Sequence, residues 1–287
     1  MRIPPIIIVF VLAAGALGGS VRMTISDLFP ASLAEALFAE FAALEVEARV
    51  NRGGSMLTMD ALRAGEIDAA IIALPDENFP DGPFSAQACA YQVITVLVHE
   101  SNPVQQVSLD QLRMIYAEGG AIDEWGRLGG TGTWSARRIT PNAVRKPENV
   151  GLEVFRFHVL QDAPMRSATR YRSSIRAALA EVSDDNTAIA VLPAVRPDAR
   201  GRTLSVSVDT ESQAYSPTPD NVMFGDYPLR LPFFLVHRED LETAKVRAVK
   251  RTVFSDRFER GLREAEFMPL PERERRDRLM EAETMTE

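Results

Sequence analysis

Two short stretches of this sequence carry residue types that could hold a small negative ion. In Asn51-Arg-Gly-Gly-Ser55 the paired glycines permit a tight turn, and Ser55 is the expected N-cap of a helix running from Met56 to Ala64. A helix beginning of that kind offers free backbone N–H groups, a hydroxyl and the positive end of a dipole, which together suit an oxyanion. Most serine-capped helices bind nothing, so the motif gains meaning only from its neighbours. The second stretch, Ser26-Asp27, ends an alternating run and would lie beside Gly54-Ser55 if the two preceding strands pair.

The elements that must position these residues follow from hydrophobic period. Val21-Arg-Met-Thr-Ile25 and Glu45-Val-Glu-Ala-Arg-Val50 alternate polar and apolar side chains, which predicts strands with one buried face. Between them Leu33, Leu37, Phe38, Phe41 and Leu44 recur at helical spacing. After Met56, Met59 and Leu62, Gly65 suits a helix C-terminus, and Ile67-Asp-Ala-Ala-Ile-Ile-Ala-Leu74 is the near-continuous apolar run of a strand covered on both faces. Strand, helix, strand, helix, strand implies an α/β fold with a parallel sheet whose ligand loops gather at the strand C-terminal ends.

Further along, Asp76 to Pro83 reads as a loop, and Tyr91 to Val98 as a long strand ended by Ser101-Asn-Pro103. Ser108 to Tyr116 reads as a capped helix, and Trp125 to Trp134, with four glycines in ten residues, as turns. Ile139 to Val144 leads into Arg145, and Gly151 to Leu160 is helical in period. Ala188 to Pro193 and Thr203 to Val208 are short strands, and Tyr227 to Val236 is a second long extended run. Asp240 to Glu264 reads as one amphipathic helix, and residues 271–287 as a charged tail, a solvated helix or frayed end. The two long runs, 91–98 and 227–236, are the expected crossovers between two lobes: 21–90 plus 237–270 form the first and 99–226 the second.

A chain of 287 residues with 46% hydrophobic and 25% charged residues is globular in composition and long enough for about two domains. The net charge of −8 argues against attachment to nucleic acid or to an anionic membrane, and it leaves a small anionic ligand open. Residues 1–20 pair Arg2 with an apolar core from Ile6 that runs into small residues, the layout of a secretory signal with Ala14-Gly15-Ala16 as a cleavage site. That core is short for a span of ~30 Å, which favours removal over retention as an N-terminal tether, and a periplasmic or secreted location. Cys89 is the lone cysteine, so no intrachain disulfide can form. His99, His158 and His237 lack metal-motif spacing, and no metal or cofactor is expected.

The order of motifs resembles the phosphate-binding proteins of ABC importers, which have the two-lobed type II periplasmic-binding-protein fold. Leu28-Phe-Pro-Ala-Ser-Leu33 is similar to that family's first loop, and Gly54-Ser55 with Met59-Asp-Ala-Leu62 to its glycine-rich loop. Ser101-Asn-Pro103, Leu109 to Tyr116 and Trp125-Gly-Arg-Leu-Gly129 resemble the segment after its first crossover; Tyr227-Pro-Leu229 and Phe267-Met-Pro-Leu270 resemble the second crossover and terminal motif. The resemblance covers roughly residues 21–270. It implies a mainly parallel sheet flanked by helices in each lobe, and two crossover strands.

It also implies a ligand set: Ser26, Asp27, Gly54 and Ser55 from the first lobe, and Arg145, Asn149, Val150 and Gly151 from the second. Arg145 stands where the family has an arginine four residues before a Ser-Gly-Thr turn, which here reads Asn149-Val-Gly151. Leu28 replaces a threonine of the first loop, and Ala73 stands where the family has a buried aspartate. Each missing charge-assisted hydrogen bond costs about 1.5–3 kcal/mol, so these departures bear on affinity.

The expected function is that of a secreted, monomeric solute-binding protein whose lobes close over a small oxyanion such as phosphate and deliver it to an ABC importer permease. The alternative keeps the fold without phosphate binding, as a sensory or protein-interaction module. An enzyme is the weakest reading, since neither Gly-x-Ser-x-Gly nor His-Glu-x-x-His occurs. Plainer roles stand beside each candidate: Asp27 as a turn cap for Leu28-Phe29-Pro30, Arg145 paired with Glu148 or Glu153, Trp125 and Trp134 as packing under turns, and Phe233 and Phe234 as core.

Overall fold

The computed structural model describes residues 20–75, 82–146, 149–161, 163–193, 201–241 and 243–284. The expected signal segment, Glu148 and most of the expected loop 76–83 lie outside the described residues.

The first stretch builds β1 (Val21–Ser26), α1 (Ala31–Ala43), β2 (Ala48–Gly53), α2 (Ser55–Arg63) and β3 (Ala69–Ala73). Strand β4 (Phe84–Val98) is followed by β5 (Gln106–Ser108), α3 (Leu109–Tyr116), β6 (Thr140–Val144) and α4 (Gly151–Phe155), whose last turn widens to a π-helix over Arg156–Leu160. Then come β7 (Arg170–Arg172), α5 (Ile175–Asp184), β8 (Ala188–Pro193), β9 (Arg202–Thr203), β10 (Ser205–Ser207) and α6 (Pro219–Phe224). The chain closes with β11 (Arg230–Arg238), α7 (Thr243–Val253), α8 (Asp256–Glu264), β12 (Met268–Pro269) and α9 (Glu272–Thr284).

Two compact units result. Unit 1 takes the chain up to Tyr91 and from Leu231 onward; unit 2 is Gln92–Arg230. In unit 1 the strands run β2-β1-β3-β11-β4, with β1 parallel to β2 and β3, β11 antiparallel to β3, and β12 antiparallel to β4. Val21, Met23 and Ile25 are fully buried while Arg22 and Thr24 are only half so, as their alternation requires, and all five residues of β3 are buried. Met59 and Leu62 of α2 pack on Ala70, Ile72, Phe234 and Val236, which fixes the start of α2 at the strands' C-terminal end. At the opposite end Asp68 receives the Arg22 guanidinium at 2.9 Å and Lys245 at 3.6 Å. Burial alone would raise the Asp68 carboxyl; the hydrogen bonds from Arg22 and the charge of Lys245 outweigh it and hold the group below the usual range.

Unit 2 pairs β4 with β8, β8 with β6 and β6 with β7; the last two pairings are parallel and β9 adds to β4. Trp125 is fully buried and donates its indole N–H to the Thr187 carbonyl, so it packs under the glycine-rich turns. Tyr116 is also fully buried, and its hydroxyl lies 3.0 Å from the Asn142 carbonyl and 3.1 Å from that of Ile189.

Four expectations about elements need correction. Strand β2 begins at Ala48 rather than Glu45, because Glu45, at φ 56°, and Val46 return their N–H groups to α1 and close it. The helix expected over 240–264 is two helices: the Ser255 hydroxyl accepts from the Phe258 N–H and starts α8 afresh. The charged tail, expected as a solvated helix or frayed end, is a helix, α9, but a docked one, packed on α7. Arg275 of α9 is buried and donates to the Phe254 carbonyl, Asp256 and Glu259, an anchor that a count of charges misses. Finally, β7, α5 and α6 fall in stretches to which the period assigned nothing.

Candidate functional site

In unit 1, Ser26 pairs in register with Gly53, and the Asp27 N–H donates to the Gly53 carbonyl at 3.1 Å, so the ends of β1 and β2 lie side by side. Ser26 is 1% exposed and its hydroxyl oxygen accepts the Leu28 N–H at 3.3 Å. The guanidinium of Arg52 reaches across to the carbonyls of Asp27 and Phe29 and holds the first loop in place. Phe29 itself stacks on Phe233, with centroids 4.3 Å apart, beneath that loop.

Ser55 is not the N-cap. Gly54 occupies that position with φ −67° and ψ 145°, and no side chain caps the helix. The Ser55 hydroxyl instead accepts the Ala73 N–H at 3.1 Å and donates to the Ala73 carbonyl at 3.2 Å. The side chain of a first-turn residue that faces the sheet meets the unpaired backbone at the end of β3, and closing that strand end takes up its hydroxyl. The leading N–H groups of α2 therefore present the helix dipole without side-chain competition. Asp27 is exposed, and one of its carboxylate oxygens lies 3.9 Å from where a Cβ on Gly54 would stand. A carboxylate there steadies the helix beginning and repels a second anion. Met56 and Leu57, 85% and 77% exposed, add hydrocarbon to the same turn.

In unit 2, Arg145 follows β6 directly and donates its N–H to the Arg172 carbonyl at 2.8 Å. Its side chain is exposed, and its Cζ lies 4.0 Å from the centroid of the Tyr171 ring. Among the described residues no carboxylate pairs with it; Glu153 turns instead to Arg156 at 3.5 Å. The Asn149 side-chain oxygen accepts the Gly151 N–H at 2.7 Å, and Val150 stands at the N-cap of α4. Gly151 is closely packed: a Cβ would meet Asn149 Oδ1 at 2.8 Å, Ile94 Cδ1 at 2.9 Å and Pro193 Cβ at 3.2 Å, so the ends of the Asn149 and Ile94 side chains would have to move. Strand alternation places Ala143, Arg145, Tyr171 and Pro193 on one sheet face, and Gly151 touches Pro193, so Arg145 and the start of α4 share that face.

The expected residues thus gather as two groups, Ser26, Asp27, Gly54 and Ser55 within unit 1, and Arg145, Asn149, Val150 and Gly151 within unit 2. Leu28 is half-buried and Ala73 is buried, its backbone engaged by Ser55. Arg52 and Tyr171 were missed. The first stands inside the Asn51-to-Ser55 motif, and the second in an Arg-Tyr-Arg alternation that signals an edge strand. Among the described residues no group of three or more His, Cys, Asp or Glu could hold a metal ion.

The sequence profile of the PBP superfamily domain matches residues 23–253, most of the chain. The chain belongs to the PBP superfamily. Its fold is similar to that of a possible phosphate-binding protein from Planctomyces limnophilus, at 18% identity and TM-score 0.65, covering 93% of this chain and 99% of that one. It is also similar to an ABC-type phosphate transport receptor from Vibrio cholerae, at 19% identity and TM-score 0.59 over 87% and 100% of the two chains. A third similar structure is PstS from Borrelia burgdorferi, at 12% identity and TM-score 0.68 over 88% and 100%. No curated protein matches by sequence. The α/β, type II periplasmic-binding-protein fold and a solute-binding role follow from this membership in a family of substrate-binding receptors. Among the described residues no helix is long and apolar enough to cross a membrane.

Proposed function

We propose that this superfamily member is a secreted receptor for a small oxyanion, delivered to an ABC-type importer, with the start of α2 in unit 1 and Arg145 in unit 2 as its anion-seeking elements. The observation that carries this reading is the exposed Arg145 guanidinium, which has no carboxylate partner among the described residues of a chain whose net charge is −8. An unpaired arginine beside a helix start fits an oxyanion with two adjacent oxygens. The commitment of the Ser55 hydroxyl to Ala73 removes one donor, worth about 1.5–3 kcal/mol, or roughly ten- to a hundredfold in affinity. Micromolar rather than nanomolar binding is the expectation. Calorimetry of the purified protein with phosphate, sulfate and simple carboxylates tests the reading; neither heat nor a thermal shift at millimolar anion would sink it.

The second reading keeps the fold for protein interaction. It is favoured by the Asp27 carboxylate beside Gly54 and by the hydrocarbon of Met56 and Leu57 around the same helix start. It predicts that Arg145→Ala leaves every anion titration unchanged, while Leu57→Asp abolishes recovery of a binding partner.

A further inference from the structure

Three arginines crowd the β6–β7 edge of unit 2, and the sheet sends them in two directions. Arg170 and Arg172 point to the α5 face, where both meet the Glu181 carboxylate, Arg172 at 2.7 Å. Arg145 and Tyr171 point to the opposite face, and there Arg145 receives a ring instead of a carboxylate. A glutamate partner would cancel its charge and tie up its N–H fork. An aromatic face steadies the cation and leaves both charge and N–H edge available to another acceptor.

We propose that Tyr171 is a positioning residue for Arg145, holding the guanidinium over its ring so that the N–H edge is presented to an oxyanion with two adjacent oxygens. This rests on the reading of Arg145 as a ligand contact. Tyr171 is 38% exposed and lies on the edge strand β7. The backbone bond from Arg145 N–H to the Arg172 carbonyl fixes the base of the side chain. Without the ring, the long side chain would sample many rotamers, and binding an anion would then require ordering it.

The test uses the full chain with Tyr171→Leu and Tyr171→Phe, phosphate as the titrant, and nuclear magnetic resonance of the Arg145 side chain assigned through Arg145→Lys. The parent should show Arg145 Hδ protons shifted upfield by the ring. Tyr171→Leu should abolish that shift and weaken phosphate binding about three- to fivefold, the range of an exposed cation–π contact. Tyr171→Phe should restore both. If Tyr171→Leu binds phosphate as the parent does, the positioning role is overturned while the oxyanion reading stands. If the parent binds no anion, the reading and the role fall together, and a persisting ring shift then marks a merely structural contact.

Discussion

The two helix beginnings, Ser55 in unit 1 and Gly151 in unit 2, solve the same electrostatic problem by opposite means. At α2 no side chain caps the helix, the one hydroxyl of the first residue is bonded to Ala73, and a carboxylate stands close to Gly54. At α4 a side chain, Asn149, already takes the Gly151 amide, and the positive charge comes from Arg145 on the neighbouring strand end. Unit 1 therefore offers backbone dipoles tempered by a negative neighbour, whereas unit 2 offers a full charge that no carboxylate among the described residues pairs with. On the proposed oxyanion reading, the contrast predicts the stronger anion contact in unit 2 and the stricter packing at its helix start.

The sharpest way to break the contrast is a matched pair of glycine substitutions. Gly151→Ala should lower the stability of unit 2 by about 2 kcal/mol in denaturant melts, since the Asn149 and Ile94 side chains must move to admit its Cβ. Gly54→Ala, whose Cβ meets only Asp27 at 3.9 Å and whose φ is −67°, should cost at most about 1 kcal/mol. Equal losses would erase the difference. Next in size, Ser55→Ala leaves the Ala73 N–H without its partner and should cost unit 1 about 2 kcal/mol with little change in anion affinity; a large loss of affinity would return the hydroxyl to the ligand. Asn149→Ala should cost about 1 kcal/mol as the loss of the side-chain bond that its Oδ1 accepts from the Gly151 amide.

The smallest effect is that of acid. His237 in β11 is buried, its Nε2 has no partner, and desolvation with the nearby Lys250 charge holds its pKa below 6.5 despite the bond to the Arg238 carbonyl. The fold favours the neutral ring, so this contribution is whole above about pH 6.5 and is lost as pH falls further. Hydrogen exchange should show β11 and β3 of unit 1 loosening as pH falls below about 6.5 before β6 and β8 of unit 2 do. Simultaneous loosening would contradict that, and His237→Gln should remove the difference.

Much of the fold was legible because strands β1, β3 and β8 and helices α1 and α3 announce themselves by period and cap, as Ser108 with Gln111 shows in a reciprocal capping box. The family landmarks, from Leu28-Phe-Pro to Phe267-Met-Pro, ordered those pieces into the correct architecture. Legibility failed where tertiary contacts decide: Arg275 turns a charged tail into a docked helix, and Ser255 splits one amphipathic run into two. Helix α5 was readable in principle, for Ser174 caps it ahead of buried Ala178 and Val182. At the candidate site the residue types were evident, but the direction of a side chain was not. Nothing in Gly-Gly-Ser says that the hydroxyl turns inward to Ala73, and nothing in Val-Arg says that Arg145 lies over the Tyr171 ring.

The most direct measurement is a phosphate titration followed on the backbone amides of Ser55, Met56 and Leu57 together with the side-chain Nε–H of Arg145. Saturable shifts at these groups, fitted for each unit by itself and largest at Arg145, are the predicted result. Linear, unsaturated drift at these groups, or saturation at some other surface, would contradict the account.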